Sequence, residues 1–254
     1  MKFLKFKRLL GIILILTLCL SLSTAQAAVQ LPTINLGVGG ANNPQQFSQG
    51  VQILLLLTIL SLAPSIVIMT TAFIRIVIVL SLARQAVGTP ALPPNQVLVG
   101  LALILTFFVM APTISKINDT AFQPYMKNVI SQQQAIDNTI APMRDFMFKQ
   151  THEEELGLFI KLAKIDKPKN KDDVPTYVLI PSFVLSELKT AFKIGFVIFL
   201  PFLVIDLVVA SVLVSMGMMF LPPTTIAMPF KLIMFVMVDG WYLITKSLIE
   251  GFVT

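Results

Sequence analysis

VQILLLLTILSLAPSIVIMTTAFI, residues Val51 to Ile74, runs 24 positions without a charge. As a helix rising about 1.5 Å per residue it is longer than the ~30 Å hydrocarbon core of a bilayer. The apolar pattern continues past Arg75 to Ala83, further than one straight span needs. Pro64 lacks an amide donor and is the expected place for a kink or a break into two helical pieces. Beyond it, Gly88-Thr89-Pro90 and Pro93-Pro94-Asn95 predict a turn, and Val97 to Ile114 is again uncharged and about one bilayer long. Residues 51–115 therefore read as a hydrophobic helical hairpin.

The chain then changes character. Residues 116–193 hold eleven Lys/Arg and ten Asp/Glu, about two thirds of all its charge. Their near balance describes a solvated surface rather than a nucleic-acid stripe. Amphipathic helical pieces are expected around 124–134, 142–150 and 152–165, with a loop over Lys167 to Asp173. Residues 194–254 return to hydrophobicity as a second hairpin. Ile194 to Leu221 carries one charge, Asp206, and Ile226 to Val253 carries Lys231, Asp239, Lys246 and Glu250. Between them stands SMGMMFLPP, whose Pro222 and Pro223 mark the second turn as Pro93 and Pro94 mark the first. The resulting fold class is all-α: hairpin, charged helical middle segment, hairpin.

Working toward the N-terminus, residues 28–50 are polar and read as a flexible lead-in. Residues 1–27 have the three parts of a cleavable signal peptide: Lys2, Lys5, Lys7 and Arg8, an apolar run from Leu9 to Leu22, and Ala25-Gln26-Ala27 before Ala28. Loss of that segment reduces the formal charge of +6 to +2, so the basic balance names no anionic partner and no nucleic acid. With 56% hydrophobic and 13% charged residues in 254, the composition argues against an ordinary cytoplasmic enzyme. A cleaved signal places both proline turns inside and the charged segment, with its eleven positive residues, outside. The positive-inside rule applies to short loops, but the weak bias suggests something other than a conventional bilayer bundle.

No catalytic, cofactor or metal constellation is expected. Cys19 is the only cysteine and lies in the signal core, and His152, the only histidine, stands before Glu153-Glu154-Glu155 with no second histidine to complete a zinc motif. There is no phosphate loop, and Gly37-Val38-Gly39-Gly40 lacks the third spaced glycine. Three features remain. Arg75, Asp206 and Asp239 are ionisable groups inside apolar runs, each costing about 2.5–3.5 kcal/mol if left facing lipid; pairing between helices or subunits is the expected resolution, with a proton or ion relay as the other. Six methionines fall within residues 216–237, and Met216, Met218 and Met219 crowd a loop between a glycine and two prolines. Methionine is unbranched and re-packs against many surfaces, so copies of this loop around an axis would make a soft gasket. Gly195, Pro201, Gly217, Pro229 and Gly240 suit close helix packing and broken helices.

PSFVLSELKTAFKIGF (Pro181 to Phe196), FLPFLVIDLVV (Phe199 to Val209), SMGMMFLPP (Ser215 to Pro223), PFKL (Pro229 to Leu232) and VDGW (Val238 to Trp241) occur in this order. With IRIVIVLSLARQAVGT (Ile74 to Thr89) and PPNQVLVGLALILTFFVMAP (Pro93 to Pro112) they resemble the FliP family of flagellar biosynthesis proteins, P subunits of the type III secretion export gate. Departures are local: Thr89-Pro90-Ala91 replaces a more polar stretch, and Met228 stands where Leu is usual.

The resemblance implies a non-enzymatic channel subunit without cofactors. It implies a homopentameric ring that joins Q and R subunits in a helical cone. Other partners would be further export-apparatus membrane proteins, rod and basal-body proteins, unfolded export substrates and membrane lipid. It places the chain in the bacterial inner membrane at the flagellar basal body, with much of it on the periplasmic side. It implies that Met216, Met218 and Met219 seal the channel. The charges Arg75, Glu187, Lys189, Lys193, Asp206, Lys231 and Asp239 are expected, from their own placement, to lock subunits by buried or interfacial pairs. The alternatives are a virulence-type secretion gate, disfavoured by the signal peptide and lead-in, and an ion-coupled transporter using Asp206 and Asp239.

Overall fold

A computed structural model describes residues 44–254 apart from 90, 167, 219 and 254. The expected signal peptide and most of the lead-in lie outside the described residues. The secondary structure of the described residues is helical, with no strand, in agreement with the all-α expectation.

Helix α1 (Pro44–Met69) begins inside the stretch read as a lead-in and runs through Pro64 without interruption. The chain divides into two units at Thr58/Ile59. The described part of the first unit is the helical run from 44 to 58; the remainder of α1 and every later helix belong to the second. The break expected at Pro64 falls instead at Thr70–Ala72. There the Thr70 hydroxyl donates to the Ile66 (3.0 Å) and Val67 (3.3 Å) carbonyls, and the Thr71 hydroxyl to Ile68 (3.1 Å). Side-chain donors thus satisfy the last-turn carbonyls that a continuing helix would use.

Helix α2 (Phe73–Val87) comes next, then α3 (Asn95–Ile117), a π-turn at Asn118–Phe122 and the short α4 (Gln123–Met126). Beyond them come α5 (Gln132–Gln150), α6 (Glu153–Leu162), a 3-10 turn at Lys171–Asp173 and α7 (Thr176–Ser215), with α8 (Pro223–Met237) and α9 (Gly240–Val253) closing the chain. The amphipathic piece expected at 124–134 is split by a turn over 127–131, where Asn128 adopts φ 55° and Ser131 caps α5 in a reciprocal box with Gln134. The pieces expected at 142–150 and 152–165 are the second half of α5 and helix α6. The boundary drawn at 193/194 falls within α7, which runs 40 residues without a break. Glu187, Lys189 and Lys193 therefore decorate the base of a long helix rather than a separate polar segment.

The core is a seam between α2 and α7. On α2 the buried residues Ile76, Val79, Leu80, Ala83 and Val87 recur at helical spacing and, with Ala72 at the N-cap, form one stripe. On α7 the opposing stripe is Leu179, Ser182, Phe183, Ser186, Ala191 and Gly195. Its small members let the helices approach closely. A β-carbon added to Gly195 would stand 2.3 Å from Leu82 Cδ1, which no relaxed contact permits. Helices α3 and α5 pack on the same seam, α6 covers the base of α7, and α8 lies along its upper half. Phe146 of α5 meets Phe183 edge-on at 5.9 Å and stacks with Phe252 of α9 at 6.3 Å.

Candidate functional site

Two helical tips carry the proline pairs. At the end of α2, the Gly88 amide donates to Gln85 O (3.0 Å) and the Thr89 amide to Arg84 O (3.4 Å), with Gly88 at φ 88°. At the end of α7, the Gly217 amide donates to Val214 O (3.0 Å) and the Met218 amide to Leu213 O (2.9 Å), with Gly217 at φ 75°. Both are Schellman ends, in which a left-handed glycine turns the chain so that two orphan carbonyls are satisfied. Pro94 and Pro222 then stand at the N-caps of α3 and α8, after Pro93 and before Pro223.

The tips differ in what surrounds them. Arg84 Nη1 pins the first, donating to Pro93 O (3.0 Å) and Asn95 Oδ1 (2.8 Å). In the second, Met216 and Met218 lie on the loop, Met216 60% exposed, and Phe220 is wholly exposed. Met219 lies outside the described residues. This loop offers flexible, polarizable apolar surface and no acid, base or nucleophile.

Of the charges singled out within the apolar segments, Arg75 and Asp206 form pairs inside this one chain. Arg75, buried on α2, binds the fully buried Glu187 of α7 through both carboxylate oxygens, the Nε–Oε2 bond being 2.9 Å. Its Nη2 also donates to Gln150 Oε1 of α5 (2.9 Å) and its Nη1 to Gly251 O of α9 (3.2 Å), while the guanidinium lies 3.9 Å from the Phe252 ring centre. One guanidinium thus ties together α2, α5, α7 and α9 with the fixed fork geometry that makes Arg suited to buried pairs. Lys231 of α8, also buried, donates to Asp206 Oδ2 of α7 at 2.6 Å. Lys189 donates to Glu154 and Glu155 of α6, both at 2.7 Å. Those bonds hold both carboxyls below the usual carboxylate range; for Glu155 burial opposes the effect. Lys193 is exposed one turn further on and adds its field at Glu154. Asp239 is exposed at the break between α8 and α9, at φ 51°.

Sequence reasoning missed Gln150, the Gly251 carbonyl, the two glutamates that receive Lys189, and the Arg84 pin. A charge in an apolar run shows that a partner is needed but not which one; these lie 75 and 176 positions from Arg75 and 35 and 34 from Lys189. Among the described residues no three His, Cys, Asp or Glu side chains converge as a metal site would require.

Three helical stretches, Val51–Met69, Asn95–Met126 and Thr176–Ser215, are long and apolar enough to cross a bilayer. The pair Pro223–Met237 and Gly240–Phe252, bent by 61°, makes a fourth if counted as one span. Helices of this length, with Arg75 paired to Glu187 and Lys231 to Asp206 and with an apolar loop at a tip, define a polytopic helical membrane-protein subunit. More particularly, the chain belongs to the FliP family, whose family model matches residues 56–248. It is 54% identical over 217 residues to the flagellar biosynthetic protein FliP of Bacillus subtilis, covering 85% of this chain and 98% of that one. Against the protein of the same name from Pectobacterium carotovorum it is 53% identical over 211 residues, 83% of this chain and 82% of the relative. The Aquifex aeolicus protein of that name is 48% identical over 235 residues, 92% of this chain and 97% of the relative.

Proposed function

We propose that this chain is a core subunit of the flagellar export gate, the channel through which unfolded flagellar proteins leave the cell, and that it performs no catalysis. Five copies surround an axis and join Q- and R-type subunits, with rod and basal-body proteins and the remaining export-apparatus membrane proteins around them. Residues 1–27 are removed as a signal peptide. The charged middle segment faces the periplasm, and the assembly stands in the inner membrane at the flagellar base.

The observation that carries this reading is the exposed apolar loop of Met216, Met218 and Phe220 at a Schellman end. A channel for unfolded chains needs a seal that closes against ions and yields to side chains of any shape. Methionine supplies such a surface because its thioether is mobile and polarizable. The long exposed flank of α7, including Phe196, Val197, Val204 and Leu207, fits burial against neighbouring subunits. Asp206, which an ion-coupled transporter would use, is instead engaged by Lys231 of α8 at 2.6 Å, a pair that ties α7 to α8.

Replacing Met216, Met218 and Met219 together by Ala is expected to leave assembly intact and to make membranes containing the complex leak ions and small solutes. Conductance across planar bilayers, read beside the mass of the complex in mild detergent, checks this. Unchanged conductance in a fully assembled variant sinks the gasket, and a persistent monomer without partners sinks the ring.

A further inference from the structure

The two arginines of α2 are held alike, but only one of them has an acid. Arg75 spends Nη1 on a backbone carbonyl, Gly251 O, and grips Glu187 side-on through Nε and Nη2. Arg84 likewise spends Nη1 on a backbone carbonyl, Pro93 O, and on Asn95 Oδ1, yet its Nε is buried with no hydrogen-bond partner. No carboxylate pairs with it among the described residues. All 13 Asp and Glu residues of the chain are among those described, so no acidic side chain remains to be placed. The edge formed by Nε and Nη2 presents two parallel N–H groups, the geometry that matches the two oxygens of a carboxylate. A buried guanidinium nitrogen without an acceptor is costly, more so in apolar surroundings than in water.

Arg84 lines a cavity of about 540 Å³ between the first hairpin tip and the α8–α9 break, walled by Leu92, Phe235, Val236 and Trp241. Leu92 and Val236 are exposed at the surface. Asp239 lines the same cavity but is exposed to solvent and makes no ion pair with Arg84. The other carboxylates of the chain stand elsewhere. Glu154, Glu155, Glu187, Asp206 and Glu250 are engaged by Lys189, Arg75, Lys231 and Lys246. Those that remain, between Asp119 and Asp173, belong to the segments beyond the far end of α3 and at the base of α7. Arg84 lies nine residues, about 14 Å, along α2 from the Arg75 clamp at that base. Copies of this chain set parallel around an axis would present those acids at the base and not at the level of Arg84.

The geometry points to an acidic side chain of a different kind of protein chain as the occupant. Its carboxylate is bound side-on by Nε and Nη2 of Arg84, as Glu187 is by Arg75, and an apolar neighbour on the same partner covers Leu92, Val236 and Trp241. This rests on the reading of the chain as one subunit of a mixed assembly.

Phenylglyoxal, which condenses with free guanidinium groups, tests the unaltered chain. Arg84 should be modified about tenfold more slowly in the purified complex than in the purified full chain alone, the scale of one hydrogen bond to a charged group. Arg84→Lys then locates the acid. A water-soluble carbodiimide should join the amine at position 84 to an Asp or Glu of another kind of subunit, while Lys189 joins Glu154 within this chain as the internal reference. Equal modification of Arg84 in chain and complex overturns the proposal, and that readout stands even if Arg84→Lys fails to assemble. So does a link from position 84 to Asp239 or to an acid of a second copy, and so does the absence of any link there beside a formed Lys189–Glu154 reference. A mixed complex without the link refutes this proposal alone, whereas a preparation in which the chain recruits no other kind of subunit refutes the underlying reading and the proposal with it.

Discussion

Gly88 and Gly217 terminate α2 and α7 through the same pair of backbone hydrogen bonds, and each loop ends at a pair of prolines before the next helix. Around the first loop, however, Arg84 spans from the end of α2 to the start of α3 and fixes their separation. Around the second, the hydroxyl of Ser215 bonds back into its own helix at Val212 O (2.7 Å), and the loop side chains face outward. Glycine, proline and two amide bonds make a tip; what the tip does depends on whether a long polar side chain staples it. A stapled tip suits a scaffold, and an unstapled apolar one suits a surface that must deform.

The largest effect expected concerns the base that both hairpins share. Glu187 on α7 and Arg75 on α2 are buried together, and removing one partner of such a pair costs about 3–5 kcal/mol because the other charge stays buried and uncompensated. Glu187→Ala should therefore lower the thermal unfolding midpoint of the purified protein sharply and reduce its abundance in membranes. Glu187→Gln should do less, since an amide oxygen still accepts from the guanidinium. If Glu187→Ala unfolds at the temperature of the unaltered chain, the tips do not rest on a common clamp and the comparison between them loses its basis.

A smaller effect separates the two tips directly. Gly88→Ala and Gly217→Ala place an L-residue in the left-handed region at a cost of about 1–2 kcal/mol each. Neither creates a clash: the nearest atom to a β-carbon at Gly88 is Met228 Cγ at 3.7 Å, and none lies within 4 Å at Gly217. The two variants should thus show similar shifts in thermal unfolding, while Gly217→Ala alone raises ion conductance by displacing Met216 and Met218. Equal conductance in the two variants would erase the distinction between scaffold and seal.

Much of this architecture is legible in the sequence, for identifiable reasons. The all-α class comes from uncharged runs of bilayer length, and the turn positions come from glycine and paired proline, whose backbone constraints are local. The break after α1 is harder to place because Pro64 is the conspicuous helix breaker. A proline costs a helix one hydrogen bond, whereas Thr70 and Thr71 capture three carbonyl contacts at once. The unbroken course of α7 is hidden because Glu187, Lys189 and Lys193 look like the edge of a polar segment. In the fold Glu187 and Lys189 turn into an ion pair and toward α6 while the helix continues. The four-helix junction at Arg75 has no signature in any short window, since it joins positions more than a hundred residues apart.

The smallest effect lies at that same base, on the solvent side of α7. Glu154 and Glu155 are held below the ordinary carboxylate value of 4.5 by hydrogen bonds from Lys189. A carboxyl whose pKa is lowered by folding binds its proton more readily when unfolded, so its contribution is fully present above pH 4.5 and is lost as pH falls through the lowered native value. Acidification below that point should loosen α6 from α7, seen as faster hydrogen exchange of α6 amides, while the amides of α2 stay protected by the hydrophobic seam. Glu155→Gln should remove most of this acid sensitivity and Glu154→Gln less of it, because Glu155 is buried against α7 and Glu154 is open to solvent, where screening weakens an ion pair. Acid-induced exchange that appears in α2 at the same pH as in α6 would mean that the polar base and the apolar seam open as one unit, and the tips could not then be varied independently of the base beneath them.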